Sequence, residues 1–196
     1  PRQRLLHLGQ LLLDLEPHNL KLAASIERLL ERQGRWQDLI DLWKSRLAEL
    51  SATDARDTRV RIAATYIDKV GAPAAALREL TVLMEESPGH TGGCEQLERI
   101  LDLDGAPISE RMAALTLLRT AYEASSRGAD LVAAIERAIA FAEPSDRLAL
   151  HREAGARLAI SSRDAEALDH YGALLQAEPA DADARRQLRQ LARRSA

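Results

Sequence analysis

The sequence predicts an all-α chain arranged as an α-solenoid, a stack of antiparallel helix pairs. Three observations carry that prediction. Ala, Leu, Arg and Glu are abundant, β-branched residues are sparse, and aromatic residues make up 3% of the chain, a composition that favours helix over a sizeable sheet. Gly and Pro divide the chain into about eleven amphipathic segments of helical length. These segments recur at long offsets, the mark of a repeat architecture. The 46% apolar residues suffice to bury a core. No apolar run approaches the roughly 20 residues that span a bilayer, and Leu11-Leu12-Leu13 lies in an alternating polar pattern. A soluble protein without membrane insertion is expected.

In chain order, the helix opened by Pro17 contains IERLLERQG, which returns 71 residues later as LERILDLDG, setting Pro17 against Pro88, Ala23 against Cys94, Glu27 against Glu98 and Gly34 against Gly105. The next helix, from about Arg35 to Leu50, places Trp36, Leu39, Ile40, Trp43, Leu47 and Leu50 on one face at steps of three and four. Two further helices return 91 residues later: Arg61 matches Arg152, Ala64 matches Gly155, Ile67 matches Leu158, Ala76 matches Ala167, Leu80 matches Tyr171 and Pro88 matches Pro179. Pro73 fits a first helical turn, and Gly34, Gly71, Gly105 and Gly128 fit helix ends that need a left-handed residue. The two offsets differ by about one helix plus a turn, so the second unit is expected to hold an additional helix between Pro107 and Arg127. SERMAALTLLRTAYEASSR from Ser109 is echoed by SDRLALHREAGARLAISSR from Ser145, each leading into a helix that ends in Ala-Glu-Pro. After Pro179 the opening helix recurs with Leu188 and Leu191. The expectation is one helical repeat domain over residues 1–196, with units at about 17–87 and 88–178 and an end helix at 180–195. A chain that starts at Pro1 reads as a piece of a longer protein.

Gly155, Leu158, Ala167, Tyr171 and Pro179 stand at the relative spacings of the tetratricopeptide repeat (TPR), and Ala64, Ile67, Ala76, Leu80 and Pro88 repeat them. Both segments resemble TPRs. Leu83 and Leu174 depart from the family by replacing a small residue, and neither copy has the Trp expected early in helix A. The resemblance implies a right-handed α-solenoid in which helix A of each pair lines a concave groove holding an extended peptide or a partner's helix. By that resemblance Arg61, Thr65, Asp68 and Lys69 in one pair, and Arg152 and Ala156 in the other, face the groove. The equivalent Arg61 and Arg152 suit carboxylates on an acidic segment; the competing reading is an ion pair with a neighbouring carboxylate, for instance Asp57 or Asp68. The Lys and Asn clamp of chaperone-binding members is absent, Asn19 being the only Asn.

Nothing in the sequence points to catalysis, a cofactor or a metal. His7, His18, His90, His151 and His170 are scattered and meet no zinc-site spacing. His18 and His90, beside helix-start prolines, are expected to cap or cover helix ends. Cys94 aligns with Ala23 on a core face, as a small buried thiol. Pro88-Gly89-His90-Thr91-Gly92-Gly93 lacks the Gly-Lys-Ser/Thr ending of a phosphate loop and reads as a loosely packed helix start. Glu85 and Glu86, adjacent in sequence, splay apart around a helix and read as solvated charges.

The last helix carries Arg185, Arg186, Arg189, Arg193 and Arg194. With a net charge of -3, with 24 of 27 basic residues being Arg throughout, and with no aromatic among these arginines, a solvated end helix is favoured over a nucleic-acid site. The sequence therefore predicts a non-enzymatic scaffold for a protein partner, a peptide or helix of acidic character. Its Arg and Ala bias suggests a bacterial source, and a cytoplasmic location is expected. Two rival readings are an RNA-binding helical repeat using the basic end helix and a regulatory domain of a larger enzyme or sensor.

Overall fold

The computed structural model describes residues 19–194. Leu11-Leu12-Leu13, Pro17, His7 and His18 lie outside the described residues. The elements are α1 (Leu20–Arg32), α2 (Trp36–Arg46, continued by a 3-10 turn Leu47–Glu49), α3 (Ala52–Thr65, ending in a π turn Tyr66–Val70), α4 (Pro73–Glu86), α5 (Thr91–Leu101), α6 (Ile108–Ala124), α7 (Gly128–Ile139), α8 (Pro144–Ile160), α9 (Asp164–Ala177) and α10 (Ala182–Arg194). Among the described residues there is no strand. The additional helix expected between Pro107 and Arg127 is α6. Two compact units divide the chain, one reaching to Leu80 and the other starting at Thr81, so that the boundary falls inside α4.

Short side chains with lone pairs start the repeated helix. Asn19 Oδ1 accepts from the Leu22 amide at 3.0 Å, His90 Nδ1 from Gly93 at 3.2 Å, and Asp181 Oδ1 from Ala184 at 2.9 Å. These three caps stand at the 71- and 91-residue offsets, so the repeat includes the device that satisfies an orphan amide. His90 thus does cap its helix. Asn19→Ala is expected to lower the stability of the first unit by about 1 kcal/mol in urea melts, whereas an unchanged midpoint would mean that the amide is satisfied otherwise.

The hairpin turns share a second device. Gly34, Ser126 and Ser162 take left-handed φ values of 64°, 55° and 59°, and the next amide returns to the carbonyl five residues back: Arg35 to Leu30 at 3.0 Å, Arg127 to Tyr122 at 2.8 Å and Arg163 to Leu158 at 3.0 Å. This is the closure of a helix by an αL residue. The same arginines then pair with an acid three residues on, Arg35 with Asp38 at 2.5 Å, Arg127 with Asp130 at 2.7 Å, and Arg163 with Glu166. Gly71 and Gly105 are also left-handed, as expected. Gly128 is not: it is the first residue of α7, and Ser126 supplies the left-handed step instead. In the Ser-Ser-Arg turns the first hydroxyl donates back into the helix, Ser125 to Ala121 at 2.6 Å and Ser161 to Arg157 at 2.9 Å. That bond supports the turn and lets a serine accept a conformation usually left to glycine.

In the first unit α1, α2 and α3, and in the second α5 to α10, pack side by side in chain order, and the short turns make neighbours antiparallel. In the first unit Ile26, Leu30, Leu39, Ile40, Trp43, Ile62, Tyr66, Ala76 and Leu80 are buried. In the second, Leu97, Ile100, Leu115, Leu118, Tyr122, Leu131 and Ile135 lead into a cluster of Val132, Leu158, Ala167, Tyr171, Leu174 and Leu191. The face expected for α4, Ala76, Leu77, Leu80, Leu83 and Met84, is buried throughout.

Within each unit, ion pairs join several helices to the next but one. In the first unit Glu27 meets Arg61 at 3.2 Å and Lys44 meets Glu79 at 2.7 Å. In the second, Asp102 meets Arg137 at 2.7 Å, Arg119 meets Glu153 at 2.7 Å, Glu123 meets Arg157 at 2.5 Å, and Glu136 approaches His170 at 3.5 Å. The partners are 34 or 35 residues apart. Each such pair is worth roughly 0–1 kcal/mol, so the ladder sets the register of the stack, while apolar burial holds it together.

Candidate functional site

The residues expected to bind a partner all lie on α3 or α8. On α3, Arg61 keeps half of its side chain in solvent, pairs with Glu27 on α1 and stacks over the Trp43 ring at 4.3 Å. Arg61 thus does form an internal ion pair, and the carboxylate shown is Glu27 on a neighbouring helix. Thr65 donates its hydroxyl to the Arg61 carbonyl at 2.8 Å. Asp68 and Lys69 are exposed, and the Lys69 ammonium lies 5.3 Å from the Trp36 ring centre. On α8, Arg152 pairs with Asp181 at 2.6 Å, and Ala156, one turn on, is exposed. The Ala184 amide and then the Arg152 guanidinium hold the Asp181 carboxyl below the usual carboxylate range. Arg61 and Arg152 are thus alike in pairing with a carboxylate from another helix.

Where α8 faces α9 the structure brings together two histidines that the sequence scatters. His151 on α8 and His170 on α9 face each other with Nδ1 atoms 3.0 Å apart. Glu136 of α7 lies 3.5 Å from the other nitrogen of His170. Their separation of 19 residues gives no local signal, because only the register of the α8–α9 hairpin makes them meet. One Nδ1 donates and the other accepts, so a second proton between the rings would break the bond. Burial, then the neighbouring His170 and Arg147, hold the His151 imidazole below its ordinary value. The folded state therefore binds fewer protons at this site than the unfolded chain. Its stabilising contribution is complete above the ordinary imidazole pKa of about 6.5 and is lost as the pH falls below it. Urea midpoints should drop between neutral and mildly acidic buffer, and His151→Phe should flatten that drop. Identical pH profiles for the two proteins would refute the assignment.

Cys94 is buried, and burial pushes its thiol up, as expected of a core residue. The glycine-rich segment before α5 differs from the expectation of a loose helix start. Gly93 is buried, and a Cβ there would come 2.1 Å from Met84 Cε and 2.9 Å from Leu83 Cδ2, so the glycine permits a close approach of α5 to α4. Among the described residues, no group of three or more His, Cys, Asp and Glu side chains could hold a metal ion, and no helix is long and apolar enough to cross a membrane.

The spacing that resembles TPRs corresponds to real contacts. A Cβ on Gly155 of α8 would lie 3.1 Å from Cε2 and 3.2 Å from Cζ of Tyr171 on α9, so the small residue lets the two helices of this pair close on the ring. No protein-family model matches the chain, and no curated protein matches it. Solved structures to which it is similar include the MamA protein, at 16% identity over 87% of this chain and 79% of that one with a TM-score of 0.35. Two others are a thermophilic TPR protein from Thermus thermophilus, at 18% over 87% and 97% with a TM-score of 0.34, and a tetratricopeptide repeat protein from Parabacteroides merdae, at 15% over 93% and 89% with a TM-score of 0.33. With Gly155 against the Tyr171 ring and ion pairs whose partners stand 34 or 35 residues apart, each unit is a set of antiparallel helix pairs whose spacing resembles that of TPRs.

Proposed function

We propose that the chain is a non-enzymatic scaffold that binds a protein partner, an extended peptide or a helix, each unit offering its own face, α3 in the first and α8 in the second. The observation that carries this reading is the surface of α8, where Ala156 leaves a shallow exposed step one turn from Arg152, a guanidinium already held in a fixed orientation by Asp181. Such a surface offers a charge of set geometry beside room for a partner's side chain. On α3, Arg61, Thr65, Asp68 and Lys69 form the corresponding surface. An acidic partner would share Arg61 with Glu27 on one face, or Arg152 with Asp181 on the other, so its affinity depends on contacts beyond that charge.

Ala156→Arg fills the step on α8 at an exposed helical position and is expected to leave the thermal midpoint unchanged. It should reduce recovery of the partner in a pull-down by at least about tenfold. If neither Ala156→Arg nor Arg61→Glu combined with Arg152→Glu changes recovery, these faces are not the binding surface.

A further inference from the structure

The three copies of the repeated helix differ on one face. Measured from the caps Asn19, His90 and Asp181, equivalent positions are Ala23, Glu27 and Leu30 on α1, Cys94, Glu98 and Leu101 on α5, and Arg185, Arg189 and Ala192 on α10. On α1 and α5 the next helix covers this face. Ala23, Leu30, Cys94 and Leu101 are all at most 2% exposed. Each central glutamate is engaged: Glu27 by Arg46 of α2 at 3.9 Å, and Glu98 by the Tyr122 hydroxyl of α6. The start of α6 also reaches α5, where Arg111 Nε donates to the Leu101 carbonyl at 2.7 Å.

On α10 the same face is open. Arg185, Arg189 and Ala192 are exposed, and Leu188 is only partly buried where its equivalents Ile26 and Leu97 are buried. The charge at the centre is inverted, an arginine standing where α1 and α5 carry a glutamate. Arg185, Arg189 and Arg193 follow one another at steps of four, an unfavourable spacing for like charges. None of the three makes an ion pair among the described residues, whereas arginines on α3, α6, α7 and α8 pair with carboxylates on other helices. Arg185, Arg186, Arg189 and Arg193 line a single open concavity.

We propose that α10 docks an acidic amphipathic helix from a protein partner, seated as α2 sits on α1 and α6 on α5, with carboxylates on Arg185 and Arg189 and an apolar stripe over Leu188 and Ala192. This rests on the scaffold reading and names the chemistry of a partner for it. Helix-on-helix packing is what this face does in the other two copies, and the inverted charge selects an acidic occupant. No aromatic side chain on α10 could stack a base, which disfavours single-stranded RNA.

The test is fluorescence anisotropy of the whole chain with a labelled synthetic helix carrying a Leu stripe flanked by Glu. Saturable binding is expected, weakened at least about tenfold by Arg185→Glu with Arg189→Glu and restored to that double variant by a peptide with Lys in place of Glu. Neither arginine has an ion-pair partner to lose, so the double variant should keep the wild-type melting curve. Equal binding of a scrambled peptide of the same composition, unchanged binding by the double variant, or binding of single-stranded RNA without the peptide would each overturn the proposal. The scaffold reading fails separately: if the peptide does not bind but Ala156→Arg still releases the pulled-down partner, only the role of α10 falls.

Discussion

Tyr171→Ala should cost the second unit about 4 kcal/mol, within the range for emptying a buried aromatic site. The ring is 4% exposed and packs with Leu158, Ala167, Leu174 and Leu191. Gly155 lies against its edge. Without the ring, the gap beside Gly155 closes only if α9 shifts towards α8, a movement that the tight turn at Ser162 restricts. Tyr171→Phe keeps the ring and should cost less than about 1.5 kcal/mol. Urea denaturation of the three proteins decides the matter; a loss below about 1 kcal/mol for Tyr171→Ala would mean that the pair can collapse around the vacancy.

In the first unit the largest polar effect is expected at Glu79. Only 9% of this residue is exposed, and its carboxylate meets Lys44 at 2.7 Å and Arg59 at 3.2 Å. It joins α2, α3 and α4. Burial works against the Lys44 charge, but hydrogen bonds to Glu79 and Tyr66 outweigh it and raise the ammonium pKa above its ordinary value. Glu79→Ala leaves two cations facing each other without their anion. Removing one partner of a fully buried pair costs about 3–5 kcal/mol. Lys44 keeps 37% of its side chain in solvent, so about 2–3 kcal/mol is expected here. Adding Lys44→Met should recover part of the loss, since it removes one of the two stranded charges. If Glu79→Ala melts like the wild type, water reaches the site more freely than the geometry implies.

Much of the stack was legible in the chain because its causes are local. Apolar spacing at three and four residues marked α2 and α4. The 71- and 91-residue offsets matched residues that perform the same task in each copy, as the caps Asn19, His90 and Asp181 show. Gly34, Gly71 and Gly105 ended helices as expected, yet Gly128 did not, since the Ser125 hydroxyl supports a turn in which Ser126 takes the left-handed step. The ladder of pairs 34 and 35 residues apart is not legible in the sequence, for a different reason. Its rungs are complementary, not identical, and they change sign, an acid preceding its base in Glu27–Arg61 and following it in Arg119–Glu153. Matching like residues cannot find a repeat written in opposite charges.

The candidate site divides along the same line. That α3 and α8 carry Arg61 and Arg152 at equivalent positions follows from sequence alone, but their partners Glu27 and Asp181 come from helices elsewhere in the chain. His151 and His170 become a pair only through the α8–α9 register. The basic end helix reads from its sequence as a solvated surface, whereas the face buried on α1 and α5 is exposed on α10 and carries the opposite charge. Helix identity, caps and apolar faces were determined by the sequence itself, because they arise from interactions spanning at most one or two helical turns. Which charges meet and which face stays uncovered was decided only by tertiary structure, because these depend on how helices pack, and packing joins residues far apart in sequence.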